Sequence, residues 1–218
     1  MNLGGWNINK NHELIFDNNF NSLPLMTAHA PFVTEYLQAL QGVIFRALGD
    51  YRRVFAFRFD LHLPGDDFAD AVGVSNEAVS RFVASLKAKI EHNRESRTGA
   101  LVHDTKVRYF WVREVGATGR VHFHFAVLLN ADAFNWLGAY QSSRPNMANR
   151  ICESWASALR LSTEVVRNLV HFPDNPSYIL FRDEPASVAK FFYRASYMCK
   201  ASTKQYGYGH HGYGYSRQ

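Results

Sequence analysis

The sequence holds only two cysteines, Cys152 and Cys199. Two thiols cannot build a disulfide framework, so the fold must be held by buried apolar surface and the chain is expected in a reducing cytoplasm. No apolar run approaches the length that spans a bilayer as a helix. Met1 to Asn21 is polar and rich in Asn, so no secretory leader is expected there. Acidic side chains are in the minority, 19 against 24 Lys and Arg, for a formal charge of +5. That balance admits a polyanion as partner without demanding one. What is plentiful is apolar surface: 47% of the 218 residues are hydrophobic and 15% aromatic, enough for one large core or two small ones.

One stretch organises the rest. In Arg120-Val121-His122-Phe123-His124-Phe125-Ala126-Val127-Leu128-Leu129, Val121, Phe123, Phe125, Val127 and Leu129 take one face of a strand. His122, His124, Ala126 and Leu128 take the other, because side chains on a strand alternate. One face can pack on a core; the other presents two imidazoles, the commonest side-chain metal ligands. The preceding run, Thr105 to Val115, also reads as a strand, with Phe110, Val112 and Glu114 on one face. If Ala117-Thr118-Gly119 form a three-residue hairpin loop with positive φ at Gly119, Gly116 pairs with Arg120 and Glu114 with His122. Glu114, His122 and His124 then share a face, whereas a two-residue loop would turn Glu114 away.

Upstream, Met1 to Ala30 lacks a sustained period and reads as an irregular arm, with one short extended piece around Glu13 to Phe16. Pro31 is suited to open a helix, and Val33, Leu37, Leu40, Ile44 and Leu48 recur at helical spacing to Gly49. Arg53 to Leu63 reads as a strand whose polar face carries Arg58, Asp60 and His62. Ala71 to Arg81 has the outline of a helix-turn-helix, but Val79, Phe82, Val83, Leu86 and Ile90 form the apolar stripe that any helix packed on a sheet requires. Downstream, Arg144 to Leu161 predicts a helix, while Val165 to Phe172 and Ser177 to Phe181 predict strands.

Pro185 then opens a last helix through about Ala201. Tyr193 and Tyr197 lie four residues apart and so on one side of it, with Lys190 and Lys200 one turn beyond in either direction. After Lys204 the chain turns to Tyr, Gly and His without aliphatic residues, which predicts a flexible tail over 205–218. Its tyrosines, spaced by glycines, are suited to stacking on unpaired bases.

A His-hydrophobic-His strand followed by Tyr193-x-x-x-Tyr197-x-x-Lys200 resembles the HUH endonucleases, with the closest likeness to replication initiators of filamentous phages and prophage rolling-circle elements. The strand Phe57 to Pro64 sits where that family places its first motif. The likeness covers roughly residues 53–204. It implies an α+β fold, with helices packed on one face of an antiparallel sheet and the metal and tyrosine site on the open face. The domains it implies are an arm over 1–30, an endonuclease domain over 31–204 and the tail.

The implied activity is nicking and joining of one DNA strand through a 5′-phosphotyrosine. Tyr197 would be the main nucleophile, Tyr193 the second nucleophile, and Lys200 would sit beside the phosphate. His122, His124 and Glu114 would hold Mn2+ or Mg2+, and Arg58, Asp60, His62 and Lys204 would meet the DNA. The implied partners are single-stranded or hairpin DNA at a replication origin and host helicase and polymerase, with the protein acting as a monomer. Two other readings stay open: a non-catalytic DNA-binding module, and a metal-dependent hydrolase using activated water with Asp60 or His62 as base.

Overall fold

The alternating runs Arg53 to Leu63 and Arg120 to Leu129 become the two central strands of the structure. The computed structural model describes residues 9, 11–65, 76–96, 102–116, 119–140, 144–206 and 210–217. Its first elements are β1 (Leu14–Ile15), β2 (Asn19–Phe20), β3 (Leu23–Pro24), β4 (Phe32–Val33), α1 (Thr34–Asp50) and β5 (Arg53–His62). There follow α2 (Glu77–Glu95), β6 (Arg108–Val115), β7 (Val121–Asn130), α3 (Met147–Leu159) and α4 (Thr163–Arg167). The last are β8 (Val170–His171), β9 (Ser177–Phe181), α5 (Pro185–Ser196), a 3-10 turn over Tyr197–Cys199, and β10 (Tyr213–Tyr215). No helix among the described residues is long and apolar enough to cross a membrane.

The main sheet has six strands, all antiparallel, in the order β10-β6-β7-β5, with β8 and β9 in succession along the outer edge of β5. The β6–β7 pair is the expected hairpin. Glu114 lies opposite His122, the Gly116 N–H donates to the Arg120 carbonyl at 2.9 Å, and Gly119 takes φ +80°. Ala117 and Thr118 lie outside the described residues. This register is what sets the direction of every side chain at the site, since a slip of one residue would invert them all.

Both faces of the sheet are covered, which corrects the expectation of helices on one face only. Phe55, Phe57, Phe59, Phe123 and Phe125 pack against Phe82 and Leu86 of α2 and Ile151 and Trp155 of α3. On the other face Val54, Ala56, Phe110, Val112, Ala126 and Leu128 pack against Leu40, Val43 and Ile44 of α1 and Phe191 and Phe192 of α5. The reason lies in the pattern within β5 and β7. The second face is apolar from Val54 and Ala56 across to Ala126 and Leu128, and turns polar where Arg58, Asp60, His62, His122 and His124 follow. Leaving the apolar half in water would forgo about 1.5–3 kcal/mol for each large side chain, so α1 and α5 close over it and the polar half remains as a recess beside them. The Trp155 indole, fully buried, donates to the His62 carbonyl at 2.9 Å and ties α3 to the end of β5 under that recess.

Other expectations change with tertiary context. Pro31 does not open α1. The stretch after it pairs instead, Phe32 and Val33 with β1 and Phe32 with Lys200, while the Pro31 carbonyl accepts from the Ala201 N–H at 2.8 Å. The helix therefore starts at Thr34. Val165 to Arg167, read as the start of a strand, belong instead to the short helix Thr163–Arg167, which buries Val166; an apolar run this short has no period that separates the two states. Ala71 to Ser75 of the helix-turn-helix outline lie outside the described residues, and α2 directs Ala78, Val79, Phe82, Leu86 and Ile90 into the core.

The ends are part of the fold. Phe20 and Leu25 of the arm are buried in the second core. The tail, expected to be flexible, supplies β10, whose Tyr213 to Tyr215 pair with Val112 to Phe110. Backbone pairing with an open sheet edge needs no aliphatic side chain, and that is what a composition argument overlooks. Gly214 crosses Trp111 so closely that a Cβ there would lie 2.7 Å from the indole Nε1. Gly214→Val is expected to lift β10 from the edge without unfolding the core. Hydrogen exchange should show protection lost at 213–215 while the amides of β5 and β7 stay protected.

Candidate functional site

The recess gathers residues from five parts of the chain. β6 and β7 supply Glu114, His122 and His124, whose ligand atoms all lie within 4.8 Å of one another. His122 Nε2 and His124 Nε2 are 3.2 Å apart, and Glu114 Oε2 is 3.2 Å from the latter and 3.8 Å from the former. β5 supplies Asp60, directly across the ladder from His124, whose Oδ1 meets His124 Nδ1 at 2.5 Å. This carboxylate–imidazole contact holds a proton on Nδ1 and aims Nε2 at the cluster, the arrangement that orients histidine ligands in metal sites. His62, on the same strand, stacks on His122 with ring centroids 5.4 Å apart.

The remaining residues come from the end of α5 and from the arm. Tyr197 sits at the turn after α5 with its ring 5.7 Å from that of His124. Lys200 follows, its ammonium 3.6 Å from the Tyr197 ring centroid and 2.7 Å from Glu114 Oε2. His29, in the 3-10 turn of Thr27–His29, meets Tyr197 edge-on at 4.7 Å. The Met26 N–H donates to Ser196 Oγ at 3.1 Å and anchors that turn to the end of α5. Sequence reasoning missed His29: it lies in a stretch without periodicity, and nothing in its neighbours marks it.

Electrostatics divide the two imidazoles. Burial, and then the neighbouring His124, push His122 down to about 4, so the ring is uncharged at neutral pH. Burial also disfavours charge on His124, but the hydrogen bonds and charges of Asp60 and Glu114 outweigh it and raise its affinity for a proton. Burial alone would raise the Glu114 carboxyl; Lys204, His124 and Lys200 together hold it far below the usual carboxylate range. Asp60 is likewise lowered despite its burial, chiefly by His124.

Four residues expected at DNA have other partners here. Lys204 is buried and donates to Glu114 Oε1 at 2.5 Å and to the Met198 carbonyl at 2.8 Å, so its ammonium is spent inside the protein. Asp60 is engaged with His124. His62 is half-buried against His122. Arg58 is half-buried too and donates to the Arg194 carbonyl. The strand pattern placed Arg58, Asp60 and His62 on the site face; it could not show that His124 would engage Asp60, that Arg58 would reach the Arg194 carbonyl or that Glu114 would take up Lys204. Tyr193, one turn before Tyr197, is exposed and lines a different pocket, with Pro24, Tyr178, Ala189, Lys190 and Arg194.

Fold and recess together define an α+β domain in which an antiparallel sheet, covered on both faces, carries a His–His–Glu cluster beside a tyrosine and a lysine. The chain belongs to the family described as YagK/YfjJ C-terminal domain, whose sequence model matches residues 16–216. That span takes in the second half of the arm and the β10 edge. It is 30% identical to the YagK protein of Escherichia coli strain K12 over 199 residues, 87% of this chain and 95% of the relative. It is 32% identical to the YfjJ protein of the same strain over 198 residues, 85% of this chain and 95% of the relative. No solved structure matches the chain.

The donor set fits a divalent cation. Two imidazole nitrogens and a carboxylate oxygen from one hairpin leave open positions for other ligands, and one of the imidazoles is already oriented from behind by Asp60. The mixed nitrogen and oxygen set suits Mn2+ and, as a harder alternative, Mg2+.

Proposed function

We propose that this protein cuts and rejoins one strand of DNA through Tyr197, as a replication-initiator nuclease of the kind its motifs resemble. The observation that carries the reading is the meeting of Tyr197 with His124 and Lys200. It joins the end of a helix to a hairpin more than 65 residues earlier, at the polar half of an otherwise apolar face.

His122, His124 and Glu114 would hold the cation, which when bound withdraws charge from a non-bridging phosphate oxygen. Tyr197 supplies the nucleophile. Its Oη bonds to phosphorus, the bond from phosphorus to the 3′ oxygen breaks, and the phenolic proton ends on the departing 3′ hydroxyl. A tyrosine is a weak nucleophile until that proton can leave. The Lys200 ammonium lies over its ring, where it meets the phosphate's charge as the oxygen attacks, and His29 meets the ring edge-on. The phosphotyrosine bond keeps the energy of the broken linkage, so a free 3′ hydroxyl can reverse the step and join strands. A water-using hydrolase would need a base; of its two candidates, Asp60 is held by His124 and His62 is stacked on His122.

The test is incubation with a library of random single-stranded oligonucleotides and Mn2+, followed by a search for DNA-linked Tyr197 by peptide mass. Adduct is expected with Mn2+ and absent with a chelator. His124→Ala should abolish it while largely sparing DNA binding, because phosphate contacts come from many basic side chains. Mn2+ binding itself should tighten as pH rises, since the proton that His124 holds strongly must leave its Nε2. Full cleavage in chelator would refute the cation's role, and cleavage without adduct would refute the tyrosine's.

A further inference from the structure

We propose that the pocket of about 440 Å³ lined by Pro24, Tyr178, Ala189, Lys190, Tyr193 and Arg194 holds an unpaired base of the DNA strand, next to the phosphate that Tyr197 attacks. The inference rests on the nicking role given to Tyr197 and gives Tyr193 a different task from that of second nucleophile. Two tyrosines and a proline supply flat apolar surface, and two cations at the rim suit the phosphates on either side of a stacked base. Tyr193 is 39% exposed, much more than burial of its ring for stability alone would leave. Tyr178 is held in place edge-on by Phe191, at 5.6 Å between centroids, so its side of the pocket is rigid.

Arg58 links the pocket to the recess. Arg58 donates to the Arg194 carbonyl, and it stands close enough to Asp60, Arg194, Tyr178 and Tyr197 for each to act on its charge. A strand passing from one to the other would therefore run over Arg58. Tyr193 and Tyr197 are separated by four residues of helix, a rise of about 6 Å, on the order of one nucleotide of extended strand.

The experiment uses a thymidine decamer with one 2-aminopurine, read by fluorescence quenching and by anisotropy in chelator, so that no cleavage is needed. Wild type should quench the probe. Tyr193→Ala should remove most of the quenching and weaken binding ~10-fold, the usual range for loss of one base-stacking ring. Tyr178→Ala should act in the same direction, and Tyr193→Phe, which restores the ring, should restore the signal. Quenching and affinity unchanged in Tyr193→Ala overturn the pocket even if adduct forms at Tyr197. Equal affinity for free 2-aminopurine nucleoside would assign the pocket to a small molecule and overturn it as well. Loss of strand transfer in Tyr193→Phe with stacking intact would return Tyr193 to the role of nucleophile. Base quenching with no adduct at Tyr197 would support the pocket and fail the nicking reading instead.

Discussion

Tyr197→Phe is expected to bind single-stranded DNA as wild type does and to form covalent adduct at a rate lower by roughly 10³-fold or more, the scale on which removal of an enzyme's nucleophile acts. The substitution deletes one oxygen. The ring that meets His29 and His124 and lies under the Lys200 ammonium stays, so thermal stability should shift by no more than about 1 kcal/mol. Denaturing gels with 5′-labelled and 3′-labelled oligonucleotides read the adduct and assign its polarity: label should stay with the protein only when it lies on the 3′ fragment, whose 5′ phosphate is the one attached. Adduct at the wild-type rate in this variant would remove Tyr197 from the chemistry and favour another nucleophile.

The second large effect concerns stability. Glu114 is 1% exposed and is the shared counter-ion of two buried ammonium groups, Lys200 and Lys204, which are 4% exposed each. Glu114→Leu leaves both without a counter-charge in the interior. Breaking a buried pair from one side costs about 3–5 kcal/mol, and urea denaturation should show a loss at the upper end of that range. Lys204→Met placed in the Glu114→Leu background should recover part of it, because one of the stranded charges is removed with its alkyl stem kept. No recovery would mean that Glu114 acts through packing.

The pH dependence follows the same pair. The folded carboxyl is depressed, so its contribution is fully present above the ordinary carboxylate range and is lost as pH falls through and below that range. Glu114→Leu should therefore flatten the acid limb of the stability profile. The two roles of Glu114 are separable: a metal ligand would show in Mn2+ affinity, the internal counter-ion in urea.

The hairpin and the tyrosine turn were legible because each rests on a local rule. Alternation fixes faces, a glycine with positive φ fixes register, and Glu114 opposite His122 follows from loop length alone. The sheet's two-sided cover was not legible, since β5 and β7 each change from apolar to polar partway along one face and the eye averages them. His29, Lys204 and the β10 edge depend on pairs of residues between about 90 and 170 positions apart, which no local pattern encodes. Tyr193 and Tyr197 were rightly placed one turn apart, but a helix with Phe191 and Phe192 sunk in the core leaves exposed Tyr193 at one pocket and half-buried Tyr197 at the recess.

One consequence follows from where the pieces of the recess come from. The three candidate ligands sit on a single hairpin and inherit their spacing from one register, whereas Tyr197 hangs from the end of a separate helix steadied by the arm. Substitutions that tilt α5 would change how the phenol lines up and would reach the ligands only at Glu114, through Lys200 and Lys204. Changes in the 116–120 loop would do the reverse. On the proposed reading, a lineage of such proteins can thus retune its choice of ion at the two histidines and its choice of strand at Tyr197 by mutation in segments that do not overlap.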